Sequence, residues 1–114
     1  MTMTRGEHLG EFEQVVLLAV AQLGGTGYGV TVRQEIERRT GRRVSLGAVY
    51  STLVRAEEKG YVAGFAGEST SVRGGRAKRH YGLLPAGARA LKATRRMLDR
   101  MWEDVDLDPR PGSA

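Results

Sequence analysis

Ser45-Leu46-Gly47-Ala48-Val49-Tyr50-Ser51-Thr52-Leu53-Val54-Arg55-Ala56-Glu57-Glu58-Lys59-Gly60 is the stretch on which the fold turns. Ser45 is of the residue type that caps a helix start by accepting a backbone N–H. After it Leu46, Val49, Leu53 and Ala56 recur at three- and four-residue steps, the spacing of one buried helix face. Gly60 stops the helix after Lys59. With that stripe turned inward, Gly47, Ala48, Ser51 and Arg55 face outward and Thr52 falls at the flank. The outward face is therefore small and polar rather than apolar.

Upstream, Phe12, Val15, Val16, Ala19, Val20 and Leu23 predict a first helix over 11–23, ended by Gly24, Gly25 and Gly27. Tyr28, Val32 and Ile36 recur at i, i+4, i+8 and predict a second helix to about Thr40, with Gly41 as a left-handed stop. Downstream the period changes. Tyr61 to Phe65 reads as a strand, Gly67 to Gly75 as a mobile glycine-rich loop, and Arg76 to Leu83 as the returning strand. Pro85 suits the first turn of a last helix, whose stripe is Leu91, Thr94, Leu98, Met101 and Val105. The order is three helices, a hairpin and a long helix. The fold class expected is α+β, a winged helix-turn-helix with a β-hairpin wing, over 9–84; a short α+β domain of another kind gives the same coarse order. A C-terminal dimerisation helix over 85–105 comes next, and 1–8 and 106–114 are flexible tails.

The chain has 114 residues, room for one compact core. Hydrophobic residues make up 40% and no run is long and apolar enough to cross a bilayer. Cysteine is absent, which excludes disulfides and thiolate chemistry. The polar start, Met1 to His8, has no signal-peptide centre, so a cytoplasmic protein is expected. Eighteen Lys and Arg against thirteen Asp and Glu give +5. That balance favours an acidic partner, nucleic acid first and an anionic membrane surface second.

The ordered pieces Leu9-Gly10-Glu11-Phe12-Glu13, Tyr28-Gly29, Ser45 to Leu53, Arg55 to Gly60, Gly74-Gly75-Arg76-Ala77-Lys78-Arg79, Tyr81 and Pro85-Ala86-Gly87 resemble the PadR family of transcriptional regulators. The resemblance implies a homodimeric winged-helix repressor whose C-terminal helices make the dimer. The length resembles the short branch, with one C-terminal helix. Three positions depart from the family pattern. Ala56 stands where Leu is usual, so the core there is expected to be looser. Leu84 stands where Thr is usual, which removes a side-chain cap worth about 1 kcal/mol. His80 stands where an aromatic ring is common.

On this reading the third helix enters a major groove. Ala48 touches a thymine methyl, Ser51 and Thr52 bond base edges or phosphate, and Arg55 reaches guanine or phosphate. Gly47 lets the helix sit deep. Ser45 belongs to the same helix start, and Tyr50 either packs or contacts phosphate. Arg38, Arg39, Arg42 and Arg43 bracket the turn, where helix-start amides suit a phosphate. Arg73, Arg76, Lys78 and Arg79 make a basic wing. The DNA-binding candidates are thus Arg42, Arg43, Ser45, Gly47, Ala48, Tyr50, Ser51, Thr52, Arg55, Arg76, Lys78 and Arg79. The partner expected is double-stranded DNA with an inverted repeat.

The stripe of the last helix outruns what a winged-helix body can cover, so Leu91, Thr94, Leu98, Met101 and Val105 are the dimer candidates. One branch of the family binds flat aromatic compounds between subunits, with a tryptophan in this helix. Met97 and Trp102 are the candidate contacts for such an effector, and by count from Gly87 it is Met97 that matches the position. An enzyme is disfavoured. His8 and His80 form no metal-ligand spacing with carboxylates, Glu11 and Glu13 point to different sides, and the glycines match no phosphate loop. No cofactor or metal is expected. The competing reading is a winged helix used for protein contacts without specific DNA binding.

Overall fold

The computed structural model describes residues 8–67 and 78–108. Helix α1 spans Glu11–Leu23, α2 Gly29–Thr40 and α3 Leu46–Glu58; strands β1 (Val62–Ala66) and β2 (Arg79–Leu83) come next, then α4 (Pro85–Trp102). The winged helix-turn-helix expected from the spacing of apolar residues is the architecture observed.

Each helix start and stop has a local cause. Glu11 and Glu13 place negative charge in the first turn of α1, where the helix dipole favours it. Gly24 ends α1 at φ 59°, and Gly41 ends α2 at φ 70°, both in the left-handed region that suits glycine. At the start of α2 the Tyr28 N–H donates to Thr31 Oγ1 at 2.9 Å, and that hydroxyl donates to the Tyr28 carbonyl at 3.1 Å. Ser45 Oγ accepts from the Ala48 N–H at 3.1 Å and so caps α3. Helix α4 begins with Pro85 after Leu84, and no side chain caps it.

The core is built from Val16, Leu17 and Val20 of α1, Val32 and Ile36 of α2, and Val49, Leu53 and Ala56 of α3, closed by Val62 and Tyr81. Leu17 belongs to this centre although it lies outside the stripe expected from the spacing; α1 is covered on two sides, by the other helices and by β2 and α4. The strands pair antiparallel, with Gly64 opposite Tyr81 and Val62 opposite Leu83. Beyond the hairpin, the Tyr81 N–H donates to the Gly27 carbonyl at 2.8 Å, which ties the α1–α2 connection to the outer edge of β2. All of the expected loop Gly67 to Gly75 except Gly67, and the first part of the returning strand, from Arg76, lie outside the described residues.

Helix α4 lies antiparallel along α1. Ala90 and Thr94 are buried there, and the Leu9 N–H donates to Thr94 Oγ1 at 3.3 Å. The helix ends at Trp102, three residues short of the expected Val105. Glu103, Asp104 and Asp106 put negative charge at a helix C-terminus, where the dipole opposes it, and Asp104 turns the chain at φ 59°. The other end is fixed by contact. A Cβ built on Gly87 would overlap the Tyr61 carbonyl oxygen and come within 2.8 Å of Leu83 Cδ1. By contrast, the atoms nearest a Cβ on Gly29 belong to the Tyr50 side chain, which is partly exposed and can swing away. Gly87→Ala is expected to cost about 1–3 kcal/mol of stability, as overpacking against fixed backbone does. Gly29→Ala is expected to cost clearly less, and urea denaturation of the two variants side by side checks the order.

Candidate nucleic-acid interface

Helix α3 is held by its buried side and presents the rest. Gly47, Ala48, Ser51 and Arg55 are all exposed, as the helical wheel predicts. A Cβ on Gly47 would meet nothing within 4 Å, so this corner of the helix is open to close approach. Ser45 is exposed too, but its oxygen is engaged by the Ala48 amide. Tyr50 lays its ring against Gly29 and keeps an exposed edge.

Thr52 departs from expectation. It is only 4% exposed, and its hydroxyl donates to the Ala48 carbonyl at 2.8 Å. A short β-branched side chain can satisfy its hydroxyl on the preceding turn and turn its methyl inward. Thr52 is therefore a core residue, with Arg55 Nη2 3.4 Å from its oxygen. Val54, absent from the candidates drawn from the sequence, takes a place on the exposed side instead.

The turn arginines divide. Arg38 and Arg39 both engage Glu35, and this holds the Glu35 carboxyl below the usual carboxylate range. Arg42 pairs with Glu11 and lies over the Phe12 ring, 5.6 Å from its centroid. It ties the turn to α1 rather than standing free for DNA as its place in the sequence suggests; the acid that draws it lies 31 residues away in the chain. Arg43 makes no hydrogen bond or ion pair with the described residues.

The base of the wing carries a second group. Lys78 Nζ lies 4.4 Å from the centroid of the Tyr28 ring and donates to its hydroxyl at 3.2 Å. His80 meets Tyr28 edge-on at 5.5 Å and stacks on Phe65 at 6.0 Å, so it serves as the flat ring that this position usually holds. Arg79 is paired with Glu57 of α3, which keeps its guanidinium more firmly charged. Burial pushes the Tyr81 hydroxyl up from its ordinary value. Arg73 and Arg76, with the glycines between them, lie outside the described residues. The structure thus leaves Arg43, the outer face of α3, Arg55 and Lys78 as cations and donors without a carboxylate partner among the described residues. Tyr28 joins them unannounced, because its partner is 50 residues away.

The dimer candidates also divide. Thr94, 1% exposed, is spent on its own chain, and Leu91 is half-buried against the core. Leu98 and Met101 stand out in solvent, Met101 at 70% exposed. Val105 is exposed beyond the helix end. Leu18, Leu83, Leu91, Leu98 and Trp102 line an apolar groove of about 590 Å³ between α1 and α4. Met97 is half-buried and does not line it. Among the described residues no group of three or more His, Asp or Glu could hold a metal ion, and no helix is long and apolar enough to cross a membrane.

Comparison with known proteins agrees with this geometry. The family model described as the transcriptional regulator PadR-like family matches residues 17–93. The transcriptional regulator Rv3488 of Mycobacterium tuberculosis is 38% identical over 78 residues, 68% of either chain. Among solved structures, a PadR-like transcriptional regulator from Bacillus cereus superposes with a TM-score of 0.63 at 19% identity, covering 79% of this chain and 82% of that one. A transcriptional regulator from Clostridium thermocellum gives 0.65 at 21% identity, with the same coverage of each chain. At such identities the structures speak for the fold, while the family model and the mycobacterial relative speak for descent. Both are of transcriptional regulators, not enzymes. The chain belongs to the PadR-like family of transcriptional regulators.

Proposed function

We propose that this regulator is a homodimeric repressor that reads an inverted-repeat operator in double-stranded DNA. The observation that carries the reading is the outer face of α3, where Gly47, Ala48, Ser51 and Arg55 stand exposed on a capped, firmly buried helix. Small side chains at the N-terminal end let the helix enter a major groove, and a serine and an arginine further along can meet base edges. Arg43 before the helix and Lys78 beside Tyr28 flank that face as phosphate contacts. Arg76 is assigned to the same wing from the sequence alone. Arg79 and Arg42 act first as internal braces, through Glu57 and Glu11. Two such units are joined through the free half of α4, and the groove beside Leu18 is the face that a second copy covers.

Base reading and backbone contact are separable by salt. Arg55→Ala is expected to cost about 1–3 kcal/mol on the cognate site and much less on random DNA. Lys78→Ala is expected to weaken both DNAs alike and to reduce the salt slope by about one. Titrations of both variants on both DNAs across a salt series check the assignment; the reversed pattern would exchange the two roles.

The dimer is tested at α4. Leu98→Asp with Met101→Asp is expected to give a monomer in sedimentation and to lose operator binding together with the dimer, because both residues are exposed in the isolated chain and the fold does not need them. A double variant that sediments as a dimer would move the interface elsewhere. A flat aromatic effector would sit in the groove that Trp102 lines. Trp102 is the sole tryptophan, so a change in its emission on titration reports that binding directly.

A further inference from the structure

Beyond α4 the chain reads Glu103-Asp104-Val105-Asp106-Leu107-Asp108. Acids and aliphatics alternate. In an extended chain Val105 and Leu107 fall on one side, and Asp104, Asp106 and Asp108 on the other. Both aliphatics are exposed, Val105 at 49% and Leu107 at 69%. Past Val105 the described residues hold one hydrogen bond, from the Asp108 N–H to Asp106 Oδ1 at 3.0 Å. The segment is an amphipathic strip with little structure to lose on docking.

A matching surface lies between α1 and α2. Val15, Leu18, Ala19 and Ile36 make the apolar part of a groove of about 200 Å³ that Gln22, Glu35, Arg39 and Thr40 also line. Arg38 and Arg39 share the single carboxylate of Glu35 and remain 65% and 50% exposed. Two guanidinium groups on one carboxylate leave the rim positive, the sign that an acidic strip requires. Leu18 lines both this groove and the larger one along α4. A partner α4 seated antiparallel in the larger groove carries its own C-terminal extension toward the smaller one.

The same chain cannot fill its own groove. Thr94 sits at Leu9, just before α1, so the last two turns of α4 run about 12 Å further out. The groove lies about 14 Å the other way, near Ala19. Val105 and Leu107, three and five residues past Trp102, reach at most about 17 Å. The occupant must come from another molecule.

We propose that Glu103–Asp108 of one copy docks on the α1–α2 groove of a second copy, with Val105 and Leu107 inserted and the acids beside Arg38 and Arg39. This rests on the homodimer reading and adds a second, reciprocal contact to it. The contact ends on α2, the first helix of the helix-turn-helix, so it joins the dimer interface to the reading head.

The absence of native cysteine makes the test direct. Full-length Leu107→Cys and full-length Thr40→Cys are mixed, allowed to exchange subunits and oxidised gently. The expected product is a covalent pair whose disulfide joins the two introduced thiols, located by peptide mass spectrometry. Leu107→Asp, at a residue 69% exposed in the single chain, is expected to weaken the dimer about tenfold or more in sedimentation. A wild-type dimer that gives neither the mixed disulfide nor weakening by Leu107→Asp overturns the docking and leaves the homodimer standing. A monomeric wild type overturns both.

Discussion

A two-stranded hairpin has little stability of its own in water, and here the hydrogen bond from the Tyr81 N–H to the Gly27 carbonyl makes it part of the helical body. The same residue is buried at 3% exposure in the core and pairs with Gly64 across the hairpin. One side chain and one amide thus hold wing, core and the α1–α2 connection in register. Gly27 accepts this because a Cβ there would press on Leu23 and Val32. The bond also places Lys78, three residues before Tyr81, over the ring of Tyr28, the residue after Gly27. The cation at the wing base and the start of the helix-turn-helix are brought together by backbone pairing, not by their own attraction.

Charge is arranged on the same frame. Glu11, Glu35 and Glu57 each engage arginines that a count of basic residues would assign to DNA. Exposed pairs of this kind add little to stability, yet they fix where the guanidinium groups point. Arg42 braces the turn against Phe12 and α1, and Arg79 braces β2 against α3. Of the basic DNA-contact candidates among the described residues, Arg43, Arg55 and Lys78 have no carboxylate partner. The +5 of the chain overstates the free positive charge beside α3, and the pattern of pairing sharpens it to a few positions.

Much of this is legible in the residues themselves. The bounds of α1, the stop at Gly41 and the Ser45 cap depend on neighbours three or four residues away, and sequence displays such neighbours. The outward turn of Ala48, Ser51 and Arg55 follows from the same periodicity. The features that escape it depend on distance or on a choice between partners. Thr52 could face water or its own helix, and the hydrogen bond from its hydroxyl to the Ala48 carbonyl shows that it faces its own helix. Arg42 and Tyr28 find partners 31 and 50 residues away. Thr94 continues the apolar stripe of α4, but its hydroxyl meets the Leu9 amide, which only the antiparallel packing on α1 brings near. The end of α4 is deceptive because Val105 keeps helical spacing while the acids around it oppose the helix dipole.

Gly87 gives α4 the mechanics of a lever. Its close seat on the Tyr61 carbonyl is a fulcrum at the start of the helix, and Trp102 is about 22 Å out along the arm. A tilt of about 5° at the fulcrum moves the far end by about 2 Å. In a two-fold assembly joined at the far ends, that displacement appears twice, as a change in the separation and angle of the two bodies. In the proposed dimer, the seat of each α4 at Gly87 would bear on the shape of the assembly along with the contacts at its centre.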